Sequence, residues 1–168
     1  TLPDPLTSED LGVPLFVKAE CLQQGGSFKI RGAYHKMASL TPEEKARGVI
    51  APSAGNHAQG VALAAWLQGI RAIIVMPQYA PLTKVAATRR YGAEVVLYGA
   101  SFDDAVAHAH QLQQQHGYTY VHAFNDEKII AGQGTIGLEL LEALPDLEVL
   151  VVPIGGGGLI GGIATAVK

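Results

Sequence analysis

Cysteine occurs once in these 168 residues, at Cys21. One thiol excludes an intramolecular disulfide and suits a reducing compartment. None of the histidines shows zinc-ligand spacing with it. Charge is also sparse: 16% of residues carry one, and the net is -3. That balance gives no reason to expect nucleic acid or an anionic membrane as partner. Long apolar runs are missing, and the longest, such as Ala72 to Met76, are strand-sized and too short to span a bilayer. The first residues lack the charged start and apolar run of a signal peptide. No repeat of fixed period and no low-complexity linker occurs. These features lead us to expect a soluble, cytoplasmic protein. The start at Thr1 rather than Met suits a processed or cut piece.

Glycine, by contrast, is abundant, with 20 residues. They are clustered, which points to backbone-lined sites rather than disorder. With 48% hydrophobic residues, the chain can form one globular domain with a core, or two small lobes.

Residues 1–12 read as turn-rich surface. Strands are expected at 14–20, 49–53, 72–77, 94–98, 118–124 and 148–154. Helices are expected after the glycines at 25–26, from Thr41-Pro42-Glu43-Glu44 (a capping box with proline at the first position), and at 57–67, 81–91, 102–116 and 127–144. A short helix follows Gly155 to Gly158. Strands alternate with helices, and the strands are continuous apolar runs. That pattern predicts an α/β fold with an open, mainly parallel sheet covered on both faces. Ligands of such sheets sit at the C-terminal ends of strands, in the turns that lead to helices.

Three turns carry chemistry. In Gly25-Gly26-Ser27-Phe28-Lys29-Ile30-Arg31-Gly32-Ala33 a lysine opens a helix whose apolar face is Ile30, Ala33, Tyr34 and Met37. Ser27 is the expected N-cap. The positive helix end and nearby Arg31 should both lower the Lys29 pKa, as a nucleophilic amine requires. In Ser53-Ala54-Gly55-Asn56-His57, exposed N–H groups at a helix start could hold a carboxylate, and Asn56 can donate or accept. His57 suits either catalysis or a structural hydrogen bond. In Gly155-Gly156-Gly157-Gly158, N–H groups converge at a helix start with no side chains in the way, as a phosphate requires. Gly156, Gly158 and Gly161 also fit G-x-G-x-x-G, the dinucleotide fingerprint, which needs a later acidic strand for support. Ala131-Gly132-Gln133-Gly134-Thr135 places two glycines in a helix, which suits close packing or ligand approach. His108 and His110, two residues apart, point to different helix faces and read as surface groups.

From about Pro14 onward the sequence resembles the serine/threonine dehydratases of the fold type II, tryptophan-synthase-β-like pyridoxal-phosphate enzymes, most of all the catalytic domain of the biosynthetic threonine dehydratases (threonine deaminases). The segments beginning at Ser27, Ser53, Ala131 and Gly155 match in order and spacing. The resemblance implies that Lys29 forms the Schiff base with pyridoxal 5'-phosphate and later moves the Cα proton. It implies that Phe28 packs on the cofactor ring and that Asn56 bonds its phenolic oxygen. Ser53, Ala54, Gly55, Asn56 and His57 would cradle the substrate carboxylate, and Gly155, Gly156, Gly157, Gly158 and Leu159 would hold the phosphate. The implied reaction is β-elimination of hydroxide from threonine or serine, giving a 2-oxo acid and ammonia in amino-acid metabolism such as isoleucine biosynthesis. No metal ligands are assigned.

Residues 1–44 would start a large lobe, 45–130 form a small lobe, and 131–168 return to the large lobe, whose remainder lies beyond residue 168. The family is usually dimeric or tetrameric. Alternatives are a related serine racemase, a non-catalytic or cofactor-binding piece, and a nucleotide-binding Rossmann domain.

Overall fold

The computed structural model describes residues 1–168. A four-stranded parallel sheet is its centre: β3 (Val49–Pro52), β4 (Ala72–Met76), β5 (Glu94–Leu97) and β6 (Thr119–Tyr120), in spatial order β5-β4-β3-β6. Before it come β1 (Leu2–Pro3), α1 (Pro5–Leu11), β2 (Phe16–Val17), α2 (Lys29–Ala38) and α3 (Pro42–Arg47). Between and after the sheet strands lie α4 (Asn56–Leu67), α5 (Leu82–Arg90), α6 (Phe102–His116), α7 (Glu127–Ala143) and α8 (Gly158–Val167).

Every residue of β3 and β4 is buried, so each strand feeds both faces of the sheet. Val49, Ala51, Ala72, Ile74 and Met76 point to one face, in one core with Ile30, Met37 and Val61 of α2 and α4. Ile50, Ile73 and Val75 point to the other, against Ala105 and Ala109 of α6 and Tyr118. This is the expected α/β architecture, with helices on both faces of a parallel sheet.

Local signals set the helix ends. Ser101 and Asp104 form a capping box at α6, and Gly117, at φ 71°, closes it. Thr41 and Glu44 form the expected box at α3.

Four expectations need correction. Residues 1–12 include the helix α1, whose N-terminus Asp4 caps by accepting from the Thr7 amide and whose end is Gly12 at φ 69°. Segment 14–20 contributes only Phe16–Val17, paired antiparallel with Leu2–Pro3 outside the main sheet. Residues 148–154 form no ladder, and Val149, Val151 and Ile154 are exposed; an apolar run is a strand only where a neighbour accepts its hydrogen bonds. Tyr34, expected on the apolar face of α2, is exposed, and Gly32 is buried there beside Ile30, Ala33 and Met37.

The glycines of α7 explain how the remaining helices meet. A Cβ on Gly132 would lie 2.6 Å from the Cα of Gly32 in α2. One on Gly134 would lie 2.8 Å from the carbonyl oxygen of Gly162 in α8. These contacts are backbone against backbone, so the Ala131–Thr135 stretch is a packing motif inside one continuous helix.

Candidate active site

Gly25 and Gly26 take left-handed φ values of 78° and 73°, which cost a glycine almost nothing. They turn the chain so that Lys29 becomes the first residue of α2. Phe28, not Ser27, occupies the cap position and makes no side-chain cap bond, although Ser27 Oγ accepts a long bond (3.4 Å) from the Lys29 amide. Lys29 Nζ donates to the carbonyl of Ala123 at 2.8 Å and lies 5.2 Å from the centre of the Phe28 ring.

Burial lowers the Lys29 pKa, because an ammonium loses hydration there. Arg31 is not the cause expected from the sequence. Its guanidinium turns away to bond Glu20 and Glu139 in pairs of contacts at 2.6–2.8 Å, with Thr135 at 3.0 Å. Lys18 also pairs with Glu139. Arg31 and Lys18 hold the Glu139 carboxyl far below its ordinary value. Arg31 thus ties α2 to α7 and to the segment carrying Lys18 and Glu20, and its charge is neutralised locally.

Lys29 opens into a cavity of about 290 Å³ shared with Phe28, Ala123, Phe124, Gln133, Gly155, Gly156, Gly157, Gly158, Leu159 and Ile160. The tetraglycine turn and the lysine, far apart in sequence, therefore face one space. Two of the four glycines are required by their neighbour Phe124. A Cβ on Gly156 would overlap its ring, and one on Gly158 would lie 2.8 Å from its carbonyl oxygen. The other two leave open space, since a Cβ on Gly155 or Gly157 would meet nothing within 4 Å. Gly157 has φ 86° and immediately precedes α8. The first amides of that helix have no intrahelical acceptor and suit an anion.

The turn 53–57 does not line this cavity. It lies beside it, because α4 crosses α2 so closely that a Cβ on Gly60 would sit 3.0 Å from Cβ of Lys29. Ser53 Oγ accepts from the amides of Gly55 and Ala58, both at 3.2 Å. That hydroxyl therefore caps α4 and uses part of the donor set. The amides of Asn56 and His57, at the first two positions of α4, are the ones left for a carboxylate. Asn56 is exposed and His57 is buried. His57 Nε2 donates to the Val121 carbonyl at 2.9 Å. Burial holds its pKa at about 4, and Lys29 contributes in the same direction.

Some members of this site have no signature in the sequence. Ala123 acts through a backbone carbonyl, to which residue type gives no clue. Phe124 acts by shape, and only the glycines opposite hint at it. Gln133 could be suspected from its two flanking glycines. It is 1% exposed, and its Oε1 accepts from the Gly32 amide at 3.2 Å. His108 and His110 stack on Tyr98 and Tyr120, with ring centres 3.8 and 4.6 Å apart, away from the cavity. A larger cleft of about 430 Å³ adjoins, but it is lined mostly by aliphatic and aromatic side chains. Its one cation, Lys18, is already paired with Glu139.

Comparison with known proteins agrees with this geometry. The family described as "Pyridoxal-phosphate dependent enzyme" matches residues 2–168. The L-threonine ammonia-lyase of Thermotoga maritima is 60% identical over 161 residues, covering 96% of this chain and 40% of that protein. The catabolic L-threonine dehydratase of Escherichia coli K12 is 54% identical over 154 residues, covering 92% and 47%. Among solved structures, processed threonine deaminase isoform 2 from Solanum lycopersicum superposes with a TM-score of 0.93 at 49% identity, covering 95% of this chain and 44% of that one. Maize serine racemase gives a TM-score of 0.96 at 42% identity, covering 99% and 51%. The chain thus spans less than half the length of these curated relatives. The family match leaves no ground for reading the glycine run as a dinucleotide fingerprint. The chain belongs to the pyridoxal-phosphate-dependent enzymes of fold type II.

Proposed function

We propose that the protein carrying this chain is a pyridoxal-phosphate-dependent L-threonine (or L-serine) ammonia-lyase with Lys29 as its catalytic lysine. The observation that carries this reading is the shared cavity. A partly desolvated amine lies at one wall, and four glycines, the last of them the first residue of α8, form another.

The residues present fit the cofactor. Side chains are excluded at Gly156 and Gly158 by Phe124, and the space before Gly155 and Gly157 is open. Backbone N–H groups there, with Leu159, would hold the phosphate. Lys29 would hold the aldehyde carbon, Phe28 would pack on the ring, and Asn56 would bond the phenolic oxygen. When bound, the cofactor supplies an electron sink for the pair left at the substrate Cα.

The rest is done by the chain. The turn Ser53 to His57 would bind the substrate carboxylate, chiefly through the Asn56 and His57 amides. Lys29, freed by the substrate amine, would take the Cα proton; its lowered pKa makes the neutral amine more available. Ala123 would accept a hydrogen bond from Lys29 and steady it. Loss of water across Cα–Cβ, then hydrolysis of the enamine, gives 2-oxobutanoate from threonine or pyruvate from serine, with ammonia.

Racemisation begins with the same deprotonation, and the serine racemase likeness keeps it in view. Elimination is favoured by relatives that are 54–60% identical. The Escherichia coli relative is named catabolic, which supports a degradative role beside the biosynthetic one expected from the sequence. On this reading residues 45–130 are the small lobe, 1–44 and 131–168 belong to the large one, and the protein is a cytoplasmic homo-oligomer.

The test is borohydride trapping of pyridoxal phosphate, with the label mapped by mass spectrometry, and assay of 2-oxo acid from L-threonine. Label at Lys29, and loss of both label and turnover in a folded Lys29→Ala variant, are expected. Undiminished dehydration by that variant would defeat the mechanism.

A further inference from the structure

Four of the groups assigned above, His57, Lys29, Gly156 and Gly158, meet the segment between β6 and α7. Val121 accepts from His57, and Ala123 accepts from Lys29. Phe124 fills the space beside Gly156 and Gly158. Ladder bonding reaches only as far as the Val121 amide, which donates to Ile50. Beyond it, a side chain holds the turn. His122 Nδ1 accepts from the Phe124 amide at 3.2 Å and from the Asn125 amide at 2.8 Å. The ring is edge-on to Phe124, with centres 4.7 Å apart, and tilted against Tyr120.

We propose that His122 is a positioning residue for Lys29: its unprotonated Nδ1 folds the turn that presents the Ala123 carbonyl to the lysine, and a proton on that nitrogen releases the turn. The chemistry is direct. Two N–H groups aimed at one nitrogen need its lone pair, so the neutral ring carries its proton on Nε2. Protonation would set a third N–H against those two donors.

Burial, rather than the surrounding charges, favours the neutral form of the ring. Burial holds the His122 pKa below its ordinary value; Asp126, at the start of α7, opposes this, and Lys29 of α2 reinforces it. Asp126 is itself engaged by Lys36 at 2.6 Å and by the Lys128 and Ile129 amides. His57 of α4 is buried and held neutral. From α6, His110 stacks on the Tyr120 ring and bonds Gln113 through Nδ1.

The role assigned to Lys29 is a premise here, so the first measurement is independent of cofactor. Amide hydrogen exchange at Phe124 and Asn125 is compared in the wild type, His122→Phe and His122→Asn. Phenylalanine keeps the ring and removes the acceptor. Asparagine offers an oxygen that accepts from the amide two residues on and does not titrate.

After correction for intrinsic exchange, wild-type protection should fall about tenfold or more from about pH 7.5 to about pH 5. His122→Phe should be unprotected at both pH values, and His122→Asn protected at both. In the second measurement, pyridoxal-phosphate affinity by borohydride trapping at Lys29 should drop about tenfold in His122→Phe and recover in His122→Asn, as loss of one or two hydrogen bonds predicts.

Equal protection in the wild type and His122→Phe overturns the positioning role. Lost protection with unchanged trapping overturns its link to Lys29. Absence of any label at Lys29 in the wild type would refute the lysine assignment, while the amide result would still decide what holds the turn.

Discussion

A methyl group added at Gly132 tests how the site is held together. Alanine is the better helix former by about 1 kcal/mol, so propensity alone predicts stabilisation. The packing predicts the reverse. The new Cβ would lie 2.6 Å from the Gly32 Cα and 2.7 Å from the Arg31 carbonyl oxygen, where carbon atoms normally approach to about 3.5–4.0 Å. Both obstacles are backbone, so no side chain can rotate away. Helices α2 and α7 must move apart by about 1 Å, with a cost towards the upper end of the roughly 1–3 kcal/mol seen for overpacked cores.

The net expectation for Gly132→Ala is destabilisation by about 2 kcal/mol, or a Tm lower by about 4–8 °C for a chain of this size. Gly161→Ala is the control. It lies in α8 with nothing within 4 Å of its added Cβ, so only propensity acts, and a gain of about 0.5–1 kcal/mol is expected. Thermal unfolding followed by circular dichroism measures both. If Gly132→Ala is as stable as Gly161→Ala, the backbone contact between α2 and α7 does not hold the fold as described.

Two further outcomes follow from the site. Gly157→Val forces a β-branched residue to φ 86° and puts a side chain into the open space before the turn. Pyridoxal-phosphate affinity, read by fluorescence titration, should fall at least about tenfold by loss of backbone approach; unchanged affinity would remove the phosphate assignment. The second outcome concerns acid stability. His57 is neutral in the fold, with a pKa of about 4 against an ordinary 6.5. The unfolded chain therefore binds the extra proton first as pH falls. The stability contributed by neutral His57 is complete above pH 6.5 and is lost on descending through about 4, a change of roughly 3 kcal/mol. His57→Gln should flatten this part of the urea midpoint against pH, and an unchanged slope would show that His57 is not the group responsible.

Much of this site is legible in the residues, for reasons that can be named. Lys29 and the four glycines stand at the turns that open α2 and α8, and glycines clustered before an apolar-periodic helix mark such turns well. The capping boxes at Thr41 and Ser101 act through side chains three residues apart, so they are visible locally. What stays hidden depends on distant backbone. Ala123 contributes only a carbonyl. Arg31, read along the chain, is placed to press on Lys29, yet Glu20 and Glu139 claim it in space. Residues 148–154 have the composition of a strand, but pairing is a property of the neighbour. The glycines of α7 announce close contact without naming the partner, which proves to be Gly32 on one side and Gly162 on the other.

Those two contacts fall almost at the same height along α7, at Gly132 and Gly134. One rod is thereby pinned to the helix that begins with the lysine and to the helix that begins after the glycine turn. If, as proposed, the lysine is a covalent handhold and the glycine turn an anionic one, the span between them is gauged by main-chain atoms, which cannot change length by switching rotamer. A ligand with a reactive carbon at one end and a phosphate at the other would meet a caliper already set before it arrives.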